Sequence, residues 1–293
     1  MADRQADETE RSATGTNTRR TVLGAIGAAA SVAAGLVTAS DRGAARSAGG
    51  RDRTPRLTAH RGFADVYPEN TVAAVEGAAQ CGAERIEIDV QPTADGEIVV
   101  FHDERLDDLT DESGRVADAS AETVCRAEVL DSGETVPTLR EVLEAARPSV
   151  TMNVEFKAAG EYSWSTVAER TLEIASEFPG EFYVSSFETA ALEAVRGVDP
   201  AVPIAKLFGA NPAENLEIAR ELEAEAINPS LDVLDADLVA TAREEGRDVN
   251  VYTIDSWREA RRPIELNVDS LIADYPSVLE FGTDARSGFG RQR

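Results

Sequence analysis

From residue 56 onward, apolar and polar positions follow two alternating rhythms. Short runs with a period near two, "RLTAH", "ERIEIDV", "TMNVEFK", "EFYVSSF", "PIAKLF", "EAINPS", "DVNVYTI" and "DSLIADY", read as β-strands. Between them, segments such as "TVAAVEGAAQCG", "STVAERTLEIASEF", "AENLEIARELE" and "DADLVATAREEG" repeat apolar residues at helical spacing. Eight strand–helix units predict an α/β fold, a (β/α)8 TIM barrel. A doubly wound open sheet is the alternative, but no glycine-rich phosphate loop of the dinucleotide type follows the first strand.

One stretch departs from this alternation. "PTADGEIVVFHD" reads as a strand, a turn at Asp95 and Gly96, and a returning strand that ends at His102. The polar, Asp-rich connection that follows, about 103–135, is longer than a structural loop needs and is expected to form a small insertion or lid after the second barrel strand.

The period of two also sorts the chemistry. In "ERIEIDV", Ile86, Ile88 and Val90 share one face, and Glu87 and Asp89 share the other. In "TMNVEFK", Val154 and Phe156 oppose Asn153, Glu155 and Lys157. If the apolar faces pack against the helices, the polar faces point into the barrel, where Val, Ile and Leu ordinarily fill the space. Carboxylates crowded there repel strongly unless a cation offsets them. An all-oxygen donor set favours a hard divalent ion, Mg2+ or Ca2+. The two histidines of the chain, His60 in "HRG" and His102 in "VVFHDE", both fall at strand ends.

Composition narrows the partners. The 293 residues carry 54 acidic against 29 basic side chains, a formal net charge of -25. That balance argues against nucleic acid and anionic membrane surfaces. Lysine occurs only at Lys157 and Lys206, with arginine elsewhere. The pattern fits a salt-adapted surface, and a GC-rich genome gives the same arginine bias. In residues 1–50, Arg19 and Arg20 precede an apolar, small-residue stretch, expected to be a twin-arginine-type export signal followed by a flexible linker. A membrane anchor or a disordered tail is the alternative. The protein is thus expected to be exported, or cytoplasmic where the leader does not function, with no lasting membrane insertion once the leader is removed. Cys81, near a helix end, is expected to be a buried free thiol; whether it pairs with Cys125 is open.

The motifs "HRG", "PENT", "IEIDVQPTADGEIVVFHDERLDDLT", "VPTLREVL", "NVEFK" and "IADYP" occur in one order along residues 57 to about 280. Together they resemble the glycerophosphodiester phosphodiesterase family. The resemblance implies that residues 51–293 are a barrel enzyme that hydrolyses a small glycerophosphodiester to glycerol phosphate and an alcohol with a divalent cation. It implies His60 and His102 as general acid and base; His60 is the expected base, but which histidine serves which role stays open. It further implies Glu87, Asp89 and Glu155 as metal ligands and Arg61 and Lys157 as phosphate contacts. Tyr252, where relatives often carry Trp, is assigned to the substrate wall. The attacking group, water or a neighbouring glycerol hydroxyl through a cyclic phosphate, stays open, as does the oligomeric state.

Other motif residues read as supports. Asn70 is expected to cap the first helix, and Asp103 to brace His102 or close the hairpin. Asn228 and Asp274 are strand-end groups that could line the pocket, and their spacing is equally consistent with core or loop roles. Ser185 and Ser186 have no further histidine to activate them, so a serine hydrolase is a poor reading. Two alternatives remain: a phospholipase D-like or cyclising lyase acting on lysolipids or sphingolipids, and a non-catalytic phosphate-binding surface protein.

Overall fold

Strands buried on both faces need helices outside and packed side chains inside, and the computed structural model, which describes residues 54–279, satisfies both demands by closing the sheet. Strands β1 (Arg56–Ala59), β2 (Arg85–Pro92), β4 (Thr151–Phe156), β5 (Phe182–Ser186), β6 (Ile204–Phe208), β7 (Ala226–Pro229), β8 (Asp248–Ile254) and β9 (Ser270–Ala273) run parallel. The order β1-β9-β8-β7-β6-β5-β4-β2 closes where Ala59 of β1 pairs with Ile86 of β2. The fold is a (β/α)8 TIM barrel. Strand β3 (Ile98–Val100) lies outside the ring and pairs antiparallel with the end of β2, as expected for the hairpin, but it stops at Val100, so His102 lies just beyond the strand and not at its last position.

The helices α1 (Val72–Gln80), α3 (Leu139–Ala145), α4 (Trp164–Ala175), α5 (Thr189–Val198), α6 (Pro212–Glu221), α7 (Ala236–Glu244) and α8 (Trp257–Glu265) follow the strands in turn. Most begin at a short polar residue whose side chain takes a free backbone N–H, and Thr138 with Glu141 forms a reciprocal capping box. At α1 the cap is Thr71, which accepts from the Ala74 N–H, and not Asn70. Asn70 sits one residue earlier in left-handed backbone at φ 59° and is buried, so its amide is free for a different task.

The main core lies between strands and helices, with Ile86, Ile88, Val90, Met152, Val154 and Phe156 on the outward faces of β2 and β4. Segment 101–138, which contains the insertion and the short helix α2 (Ala121–Val124), has an apolar cluster of its own. Leu106, Val116, Val124, Val129 and Val136 pack there against Val99 and Phe101, so the insertion is a packed layer rather than a bare loop. Cys81 is exposed, contrary to the expectation of burial, because it caps α1 on its solvent side; Cys125 is half-buried, and both thiols are free. No helix among the described residues is long and apolar enough to cross a membrane. The leader and linker expected in residues 1–50 lie outside the described residues.

Candidate active site

The polar inner faces of β2 and β4 stand side by side because register pairs Asp89 with Glu155 and Glu87 with Asn153. Glu87, Asp89 and Glu155 each bring one carboxylate oxygen to within 4.8 Å of the others, and all three are buried. His60 joins them from the end of β1, where the chain turns through Arg61 at φ 50° and Gly62 at φ 79°. A Cβ on Gly62 would lie 2.6 Å from that of Ala74, so only glycine lets this turn press against α1. The Arg61 N–H donates to Glu87 Oε2 at 2.8 Å, which ties the turn to the acidic cluster.

Around these groups lies a cavity of about 140 Å³ whose lining includes His60, Arg61, Glu87, His102, Glu155, Lys157 and Tyr252. Of the eight residues assigned from sequence, these seven share that cavity. The eighth, Asp89, sits behind them in the carboxylate cluster. Both histidines are held the same way: His60 Nδ1 is 2.6 Å from Asp274 Oδ1, and His102 Nδ1 is 2.6 Å from Asp103 Oδ1. A carboxylate at Nδ1 fixes the proton there and leaves Nε2 to exchange protons. Nε2 of His60 lies 4.0 Å from Glu87 Oε2.

The two cations face the same cluster. Lys157 Nζ donates to Glu155 Oε1 at 2.7 Å and lies 3.6 Å from Asp89 Oδ1. Arg61 Nη1 donates to Glu69 Oε1 at 2.8 Å, and its Nε is 3.3 Å from Asp89 Oδ2. Burial pushes Glu87 up to about 8, helped by the charge of Asp89. The same causes push Glu155 up to about 7. Burial also works against Asp89, but Lys157, Arg61 and His102 outweigh it and hold this carboxyl below its ordinary range. His60 is raised, since Asp274 and Glu87 overcome its burial. His102 is lowered by burial, and Arg61 and Lys157 add to that against Asp89.

These groups fit a divalent cation. Glu87 Oε1 and Asp89 Oδ1 are buried and accept no hydrogen bond, a costly arrangement for carboxylate oxygens that a hard ion relieves. The oxygen-only donor set suits Mg2+ or Ca2+.

Four further residues matter that carried no site assignment from sequence. Glu69 anchors Arg61. Gln91 donates to the Phe101 and Asp103 carbonyls at 2.9 and 2.8 Å and so holds the strand end that presents His102. Asn70 grips Asp89. Phe187 lines the same cavity. The first three are reached through tertiary pairing that local spacing does not encode, although Glu69 and Asn70 lie within the quoted "PENT" motif.

Comparison with known proteins agrees with this architecture. A glycerophosphodiester phosphodiesterase of Caldanaerobacter subterraneus is 32% identical over 76% of this chain and 95% of its own length. One from Bacillus altitudinis is 30% identical over 75% and 95%. Among solved structures, an Oleispira antarctica phosphodiesterase in complex with the product sn-glycerol-3-phosphate superposes with a TM-score of 0.74 at 25% identity, covering 78% of this chain and 97% of that one. The Thermotoga maritima glycerophosphodiester phosphodiesterase shares the fold with a TM-score of 0.66 at 23% identity, over 80% of this chain and all of its own. The pattern that defines the glycerophosphoryl diester phosphodiesterase family matches residues 60–278, from the first of the two histidines to the end of the last barrel unit, and the chain belongs to that family.

Proposed function

We propose that this phosphodiesterase is a divalent-cation enzyme whose two histidines divide the proton transfers of glycerophosphodiester hydrolysis, giving glycerol phosphate and an alcohol. The observation that carries the reading is that Glu87, Asp89 and Glu155 bring carboxylate oxygens within 4.8 Å of one another beside a cavity that both histidines line, each histidine held at Nδ1 by an aspartate.

A phosphodiester is a monoanion whose nonbridging oxygens gain negative charge as the bond to the leaving oxygen breaks. Lys157 and Arg61 place fixed positive charge beside the site of that gain, already desolvated and so strong in their effect. Glu87, Asp89 and Glu155 would hold Mg2+ or Ca2+, which supplies Lewis-acid stabilisation of the same charge. Attack needs a proton removed and departure needs one supplied, and imidazole titrates near neutrality. His60 takes the attacking group's proton and His102 protonates the leaving alkoxide. The charge of Glu87 favours a charged His60; offsetting that charge lowers the proton affinity of His60 and suits it to the role of base.

The direct test is a panel of glycerophosphodiesters assayed with chelator and with Mg2+ or Ca2+ restored, with glycerol 3-phosphate and glycerol 1-phosphate read separately. Turnover that needs the ion, and that disappears in His60→Ala and His102→Ala proteins of native circular dichroism, is the expected result. Near-normal rates in both variants reject the assignment, and a cyclic phosphate as sole product would make the enzyme a lyase.

A further inference from the structure

Four large apolar side chains are exposed among the described residues, Val66, Leu130, Phe187 and Val198, and of these Phe187 is the one that lines the catalytic cavity. Its ring meets Tyr252 edge-on, with centroids 5.8 Å apart and planes at 87°, and Lys157 Nζ lies 5.7 Å from its centroid. An aromatic left 43% exposed at the rim of a charged pocket is an unfilled apolar surface beside the phosphate cations.

The backbone that carries this ring is clamped. Ser186 Oγ donates to the Phe156 carbonyl at 2.8 Å and accepts the Glu188 N–H at 3.0 Å, which fixes the residues on either side. The Phe187 carbonyl itself accepts from Lys206 Nζ at 2.5 Å. Lys206 does not point into the pocket: on β6 it shares the outward face with Ile204 and Phe208, both in the main core, and it is 3% exposed. It is one of only two lysines in the chain, and the other is in the site. Burial lowers its proton affinity, partly offset by Glu188, so the amine is costly to keep where it is.

We propose that Lys206 is a positioning residue: through the Phe187 carbonyl it holds the Phe187–Tyr252 pair as an apolar wall against which the substrate's carbon skeleton next to the phosphate packs. The proposal rests on the cavity being the substrate pocket of the phosphodiesterase.

A double-mutant cycle on the ion-loaded enzyme tests it, with Phe187→Ala, Lys206→Met and the pair. Each single change raises KM for a glycerophosphodiester by about three- to tenfold, the scale of one lost hydrogen bond or packing contact, and the loss falls on KM rather than kcat. In the double variant the Lys206 change adds nothing to the Phe187→Ala effect, because its action passes through that ring. Additive losses overturn the proposal, and so does a wild-type KM in Lys206→Met. If the methionine variant does not fold, Lys206→Gln carries the same cycle. Failure of the phosphodiesterase reading is a separate outcome, since it shows as absence of turnover in the unaltered enzyme.

Discussion

Asn70 and Asp89 hold each other by both ends: Asn70 Nδ2 donates to Asp89 Oδ2 at 2.9 Å, and Asn70 Oδ1 accepts the Asp89 backbone N–H at 3.1 Å. The left-handed backbone at Asn70 suits asparagine, and both residues are buried. One amide therefore sets the position of a carboxylate in the acidic cluster and closes a strand hydrogen bond. Asn70→Ala leaves a buried N–H unpaired and is expected to cost about 1–3 kcal/mol of stability. Ion affinity should weaken by roughly ten- to hundredfold, as for other partners of ligating groups. Thermal melting and calorimetric titration with Mg2+ or Ca2+ measure the two; an unchanged ion affinity would show that Asp89 needs no such brace.

The aspartate behind each histidine gives a way to separate base from acid. Asp274 raises His60, so Asp274→Asn moves the His60 titration to lower pH. With His60 as the base, the acidic limb of the kcat/KM profile moves down and the alkaline limb stays. Movement of the alkaline limb alone would assign His60 as the acid. The variant is also expected to lose activity by about ten- to hundredfold, because an amide does not hold the ring as a carboxylate does.

Much of this molecule is written in local pattern. The eight barrel strands are readable because each is a short β-rich run between helical repeats, and the inward acids stand out because Glu87 and Asp89 break an apolar strand at a period of two. His60 and His102 are conspicuous by rarity. Pairing across the barrel is less legible. Asp274 is 214 residues from His60, and nothing in "IADYP" says that its carboxylate meets Nδ1. Asn70 and Thr71 are both good caps by type, and only the left-handed turn at Asn70 decides which one serves α1. The apolar pattern of α1 points Cys81 inward, but the cap position it occupies faces solvent.

That exposure has a chemical consequence. A thiol reagent added to the native protein is expected to modify Cys81 ahead of Cys125, whose thiol is half-buried and pushed up to about 11 by burial and nearby carboxylates. Peptide mapping after brief labelling reads the order. Equal labelling of both sites would mean that segment 101–138 opens readily in solution.

The acidic cluster ties stability to pH, and the sign follows from the two glutamates. Burial and the charge of Asp89 push Glu87 up to about 8 and Glu155 up to about 7, above their ordinary value, so folding favours their protonated forms. The stability they contribute is present below the ordinary carboxylate range and is lost as pH rises through 7 to 8. The lowered carboxyl of Asp89 acts in the opposite sense, but at more acidic pH, outside that window. In chelator the melting temperature is therefore expected to fall between pH 5 and 9, by several degrees at roughly 2–4 °C per kcal/mol for a domain of this size. If Glu87, Asp89 and Glu155 hold a divalent ion as proposed, it would bind their ionised forms and compete with protons, so the gap between loaded and chelated protein should widen over the same interval. General repulsion from a net charge of -25 also grows with pH, and high salt screens it while leaving the buried cluster largely untouched. Melting curves at high salt thus remove the general repulsion, and Glu87→Gln, by flattening the chelated profile, should separate the share of this carboxylate from those of His60 and Asp255. A gap between loaded and chelated protein that stays constant from pH 5 to 9 would mean that these carboxylates are not where the ion binds.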